Sequence, residues 1–208
     1  MATTKTAQEW VPERPSLPSL RSAATDCRGC ELWRDATQVV FSTGPANASI
    51  ALVGEQPGDH EDLAGEPFVG PAGRLLDEAL AAAGADREVV YLTNAVKHFR
   101  HEQRGKRRLH RKPDLSHLVA CHPWLEAELD VVDPDVVVCL GASAGRSVLG
   151  RPVRIGAERG AVIEGDGRPI VITSHPSAVL RLRGKEGYDD AFAALVADLR
   201  VAVEAAGR

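Results

Sequence analysis

Apolar residues in this chain come in two rhythms. Ile50-Ala51-Leu52-Val53, Val89-Val90-Tyr91-Leu92 and Val136-Val137-Val138-Cys139-Leu140 are short unbroken runs, the pattern of strands buried on both faces. Ala161-Val162-Ile163 and Ile170-Val171-Ile172-Thr173 add two more around the turn Gly165-Asp166-Gly167. Between these runs the period lengthens to that of a helix. Residues 72–83 place Leu75, Leu76 and Leu80 on one face and end at Gly84, a favourable C-cap. Asp114 is placed to N-cap a helix over 115–131, which Pro134 separates from the next strand. A short helix over 141–149 and a closing helix over 188–205 complete the alternation. Strands alternating with helices predict an α/β fold: a mainly parallel sheet covered on both faces. Towards the start, residues 17–25 fit one or two helical turns, 37–41 an edge strand and 42–45 a turn. Residues 1–16 are polar and proline-punctuated, and read as a loosely held arm outside a single domain spanning 17–208.

One stretch departs from this pattern. Residues 54–73, GEQPGDHEDLAGEPFVGPAG, join the first strand to the first long helix through about twenty positions rich in glycine, proline and carboxylates. Ordinary strand-to-helix connections take a handful of residues, so this one reads as a binding loop of irregular backbone. Ligands of parallel sheets bind outside the carboxyl ends of the strands. Gly54-Glu55, Asn94 and His175 all fall at such ends, which predicts that they converge.

Composition narrows the picture without changing it. A chain of 208 residues supports one sizeable core, and its 44% apolar and 26% charged residues are ordinary for a water-exposed globule. It has no run of eighteen apolar residues, so no membrane partner is expected. The first residues, MATTKTAQEW, lack the apolar core of a secretion signal, so the expected location is the cytoplasm, where cysteines stay reduced. Cys27 and Cys30 form a CxxC pair; Cys121 and Cys139 follow, with seventeen residues between them. Four thiolates suit tetrahedral zinc or an iron–sulfur cluster equally. A CxxC also suits a redox pair, and Cys139 a core position. The net charge of −4 hides an asymmetry: residues 97–112 carry eight Lys or Arg against Glu102 alone, a local +7 that leaves −11 elsewhere. Such a basic patch is what phosphate contact needs, although a loop charged only for solubility would look the same.

The loop at 54–73, TNAVK at 93–97, HPS at 175–177 and the cysteine set, in this order, resemble the uracil-DNA glycosylase superfamily. More narrowly they resemble its iron–sulfur family 4 enzymes and their UdgX-type offshoot. Gln56 stands where family 4 usually has a small residue, and Lys106-Arg107-Arg108-Leu109-His110 closely matches the KRRIH insertion of UdgX-type proteins. The resemblance implies a three-layer α/β/α sandwich around a four-stranded parallel sheet, and a [4Fe–4S] cluster on Cys27, Cys30, Cys121 and Cys139.

The resemblance also implies roles. Phe68 stacks on uracil, Asn94 pairs with its O4 and N3–H, His175 donates to O2 as the base leaves as an anion, and Gly54 and Ser177 complete the base pocket. His110 then attacks C1′ of the sugar, with Glu55 accepting the other ring N–H. Gln56 and Asp59 hold the loop or position sugar and water. Lys97, Lys106, Arg107, Arg108 and Arg181 contact phosphates; His60, His98, His101, His117 and His122 are solvated or structural. Taken without the resemblance, His110 reads as one more phosphate contact. The implied partner is uracil-containing DNA, single-stranded and possibly double-stranded, with free uracil as product and a monomeric protein. A conventional multiple-turnover glycosylase and a non-catalytic uracil-DNA or abasic-site binder are the other readings of the same residues.

Overall fold

A computed structural model describes residues 6–165 and 167–207. Asp166, the centre of an expected turn, lies outside them, as do residues 1–5 of the expected arm. In chain order the elements are α1 (Leu17–Ala24), β1 (Ser42–Thr43), β2 (Ile50–Gly54), α2 (Asp59–Ala64), α3 (Pro71–Ala83) and β3 (Val90–Asn94). They continue with β4 (His101–Arg104), β5 (Arg107–His110), α4 (Leu115–Val132), β6 (Val136–Leu140), α5 (Ala142–Leu149) and α6 (Ile155–Glu158). The last are β7 (Val162–Gly165), β8 (Arg168–Thr173), α7 (Pro176–Leu180) and α8 (Tyr188–Ala206).

The main sheet has the order β1-β3-β2-β6-β8-β7. Its four central strands are parallel, as the resemblance implies, and a short antiparallel strand extends each edge. Every residue of β2, β3 and β6 is buried, which is why those runs show no polar alternation. Their side chains still alternate between faces. Ala51, Val53, Tyr91, Val137 and Cys139 join the core beneath α1 and α4. Ile50, Leu52, Val90, Leu92, Val136, Val138 and Leu140 join the core beneath α3 and α8. These two apolar layers make the three-layer sandwich.

Three local expectations change. The edge strand falls at Ser42–Thr43 rather than 37–41, because the Thr37 N–H bonds the Asp62 carboxylate (3.0 Å) and the Gln38 side chain bonds the Asp62 and Leu63 carbonyls. The long crossover is not all irregular: α2 lies within it, closed by Gly65 at φ +79°. The basic stretch is a β-hairpin, β4 paired to β5 around Gly105-Lys106, with Gly105 at φ +58°. Residues 6–16 also pack more closely than a loose arm would. Ala7 is 1% exposed in the α1/α4 core, and Trp10 and Val11 lie against it.

Candidate functional site

The chain runs from β2 to β3 on one side of β2 and returns to β6 on its other side. The gap beyond the carboxyl ends of β2 and β6 is therefore a topological switch point. Glu55 follows β2 there and Gly141-Ala142-Ser143 follow β6. The Ser143 hydroxyl donates to Glu55 Oε2 (2.5 Å), bridging the switch.

A cavity of about 370 Å³ opens at this point, lined among others by Glu55, Gln56, Phe68, Asn94, His110, Ser143, His175, Ser177 and Arg181. Gly54 lies behind Asn94 and Phe68 without lining the cavity itself: a Cβ there would meet Asn94 Oδ1 at 2.2 Å and Phe68 Cζ at 2.6 Å, so only glycine lets both side chains approach. Phe68 has φ +57°, a left-handed backbone that costs a non-glycine residue on the order of 1–3 kcal/mol. Its surroundings hold it there. Arg87, paired with Asp77 (2.8 Å), donates to the Phe68 and Pro67 carbonyls at 3.1 and 3.0 Å. Gly73 leaves room for the Phe68 carbonyl, which a Cβ would meet at 1.6 Å. Glu61 accepts the N–H groups of Gly58 and Gly70, pinning both ends of the loop.

His175 Nδ1 accepts the Ser177 backbone N–H (3.1 Å), so the neutral ring carries its proton on Nε2. Burial, then the charges of His110 and Arg181, push its pKa down to about 4, which keeps it a neutral donor at pH 7. Its ring stands 6.3 Å from that of Phe68, 28° from parallel.

His110 enters from the hairpin with its side chain 50% exposed. Gln56 ties that hairpin down: its Oε1 accepts the Arg100 N–H (3.2 Å) and its Nε2 donates to the Arg100 and Arg111 carbonyls (3.2 and 3.1 Å). Both hydrogens of that amide are thereby taken by main-chain carbonyls, and its nitrogen lies 2.9 Å from His110 Nε2. Glu55 Oε1 lies 3.8 Å from the same nitrogen, an electrostatic contact longer than a hydrogen bond. Burial lowers the His110 pKa and Arg181 adds to this, while Glu55 opposes it, so the ring favours the neutral form a nucleophile needs.

Other expected residues sit elsewhere. Lys97 is buried, 1% exposed and ion-paired with Glu128, so it is no phosphate contact. Arg108 is a hairpin tether: Nε meets Asp59 Oδ1 (2.6 Å) and Nη1 meets the fully buried Asp62 (2.5 Å). Asp59 accordingly holds Arg108 and does not line the cavity. Lys106 and Arg107 are exposed at the hairpin turn, outside the cavity; exposed Arg181 and Lys112 are on its rim. Ser143, Glu61, Asp62 and Arg87 were not singled out from sequence. Only the density of carboxylates in the loop hinted at Glu61 and Asp62.

Residues 41–200 match the family described as the uracil DNA glycosylase superfamily. The chain belongs to that superfamily. It is 40% identical over 162 residues to the type-4 uracil-DNA glycosylase of Thermotoga maritima, covering 77% of this chain and 81% of that one. It is 36% identical over 186 residues to that of Archaeoglobus fulgidus, covering 85% and 90%. A DNA polymerase of Bacillus phage SP01 matches at 31% identity over 72% of this chain and 15% of its own length.

In this member of the uracil-DNA glycosylase superfamily the four cysteines are free thiols. Cys27, Cys30 and Cys121 line one small cavity beside Lys97, His98 and Trp124. Cys27 Sγ accepts the Trp124 indole N–H and Cys121 Sγ the Lys97 amide, both at 3.3 Å. Cys139 shares their apolar cluster without lining that cavity. Burial pushes the thiols of Cys121 and Cys139 up to about 12. The chemistry of four cysteines suits a thiolate-bound metal and three of them line one cavity, but among the described residues no group of three or more His, Cys, Asp or Glu side chains is placed to hold a metal ion. No helix among these residues is long and apolar enough to cross a membrane.

Proposed function

We propose that this protein excises uracil from DNA and is left joined through His110 to C1′ of the abasic site, a single-turnover reaction. The observation that carries the reading is the convergence of Glu55, Phe68, Asn94, His110 and His175 on one cavity. Likeness to proteins named type-4 uracil-DNA glycosylases supports the excision half. The trapping half is supported by Gln56 and the hairpin that it holds over the pocket.

A base inside a duplex is out of reach, so the enzyme takes single strands or a flipped-out nucleotide. Phe68 stacks on uracil, and the Asn94 amide offers one donor and one acceptor to its O4 and N3–H edge, which cytosine mismatches. As the C1′–N1 bond breaks, its electron pair leaves with uracil, and the His175 Nε2–H stabilises the charge gathering on O2. The sugar is left as an oxocarbenium ion. Nδ1 of the neutral His110 ring closes on C1′, and the proton on Nε2, the nitrogen that faces Glu55, passes to the Glu55 carboxylate, balancing charge. Hairpin closure of about 1 Å brings the 3.8 Å separation from Glu55 into hydrogen-bond range. Alkylated imidazole is a poor leaving group, so the adduct persists.

Arg181, Lys106 and Arg107 supply phosphate contacts, and the protein acts as a cytoplasmic monomer. Cys27, Cys30, Cys121 and Cys139 would hold a [4Fe–4S] cluster, with Cys139 drawn toward the cavity of the other three. Such a cluster would fasten the N-terminal segment to α4 and β6; no step of the excision passes through it.

One gel tests the reading. After incubation with uracil-containing single-stranded DNA and denaturation, a heat- and SDS-stable shifted band is expected. Free abasic DNA with no shifted band means conventional turnover, and intact DNA means binding alone. His110→Gly is expected to remove the band while still releasing uracil; a band that survives this change assigns the nucleophile elsewhere.

A further inference from the structure

Lys97 belongs to the basic run by sequence but lies beneath it, 1% exposed. Its Nζ donates to Thr93 Oγ1 (2.6 Å) and to the Asn94 carbonyl (2.8 Å), and is ion-paired with Glu128. Glu128 is itself fully buried and also accepts the hydroxyls of Tyr91 (2.9 Å) and Thr93 (3.0 Å). The main chain of Lys97 is fixed as well: its N–H donates to Cys121 Sγ (3.3 Å) and its carbonyl accepts from Val40 N–H (2.8 Å). Cys121 and Glu128 stand two turns apart on α4, so one helix face grips this residue at both ends.

The Asn94 carbonyl needs such a partner. Asn94 closes β3, and the next two amides are stitched to the neighbouring chain: Ala95 N–H to the Gly54 carbonyl (2.9 Å) and Val96 N–H to the Glu55 carbonyl (3.0 Å). On the other side β1 pairs only as far as Thr93, so no described strand takes the Asn94 carbonyl. The Lys97 ammonium takes it instead.

We propose that Lys97 is a positioning residue for base recognition: it clips the Asn94 main chain so that the side-chain amide stays aimed at the uracil edge. Lys97 does not line the cavity and acts only through Asn94. The proposal rests on the uracil reading of that cavity.

The test compares Glu128→Gln with the double variant Lys97→Met/Glu128→Gln. Both lose the ion pair without leaving a carboxylate buried alone, but only the double variant loses the donor to the Asn94 carbonyl. Single-turnover uracil release is expected to be about 10–100-fold slower in the double variant than in Glu128→Gln, with equal affinity for uracil-containing DNA. A merely structural role would shift thermal stability and leave the two rates alike. The order of the Asn94 side-chain amide, read by NMR relaxation without substrate, is expected to fall from about 0.85 to below about 0.6 in the double variant alone. Equal rates and equal amide order overturn the proposal. If the wild type releases no uracil, the uracil reading fails, and the amide order alone decides whether the clip exists. Should Lys97→Met/Glu128→Gln not fold, Lys97→Leu/Glu128→Gln gives the same comparison.

Discussion

Asn94 and His175 stand at the ends of central strands, deep in the cavity, each with its orientation fixed by backbone: Asn94 by the stitched turn after β3, His175 by the Ser177 amide. His110 stands on a two-stranded hairpin outside the sheet, half exposed, held by side chains alone: Gln56 from below and Arg108 from the flank. In the proposed reaction, base reading and sugar capture thus fall to parts of the molecule with different local stability. The first is anchored in the sheet itself. The second can swing while the core stays closed, which suits a group that must wait for a cation to form.

That contrast can be broken from either side. The largest effect is expected from Asp62→Ala, which removes a fully buried carboxylate from both Arg108, leaving it Asp59, and the Thr37 N–H, and should cost about 3–5 kcal/mol of unfolding free energy in denaturant titration. Its adduct yield should fall further than its rate of uracil release, because the tether serves the hairpin. If both fall together, the two halves are not separable. His175→Ala removes the donor to the leaving base and should slow release by about 10²–10³-fold, or roughly 3–4 kcal/mol, with the hairpin undisturbed. Single-turnover kinetics measure it.

A pH titration comes next. The pKa of His98 is pushed down to about 4 by burial, Asp62 opposing and Arg28 adding to the shift. A histidine with a lowered folded pKa takes up protons more readily when unfolded. Its stability contribution is therefore whole above about 6.5 and is lost as pH falls from there toward 4, roughly 3 kcal/mol in all. Melting temperatures across that window should decline accordingly. Adduct formation should hold its rate below pH 6.5, since the His110 pKa is also lowered, and fall only in more acid solution. The smallest effect is expected from Lys106→Ala/Arg107→Ala. Both groups are exposed, so the loss should appear as a shallower salt dependence of DNA affinity, by about one to two counterions, with chemistry intact.

Strands β2, β3 and β6 were legible because burial on both faces leaves an unbroken apolar signature. The hairpin was not: its strands read His101-Glu102-Gln103-Arg104 and Arg107-Arg108-Leu109-His110, and only Gly105 marks the turn that pairs them. Lys97 was misread for a related reason. Counting charge along the chain placed it with its cationic neighbours, although Ala95, Val96 and Phe99 around it are core residues, a local hint of burial. The convergence of Glu55, Asn94 and His175 was legible from their places at strand ends. Ser143 was not, since a serine on a short helix after β6 reveals nothing until the switch point brings it against Glu55.

The bridge from Ser143 to Glu55 also orders events in time. The two residues follow strands whose pairing spans more than eighty positions, and His175 is added only when β8 docks beyond β6. A chain still emerging from synthesis would possess the hairpin imidazole but not the His175 donor. Under the proposed trapping reaction, a protein consumed in one turnover is thereby kept from reacting until its last described strand is in place.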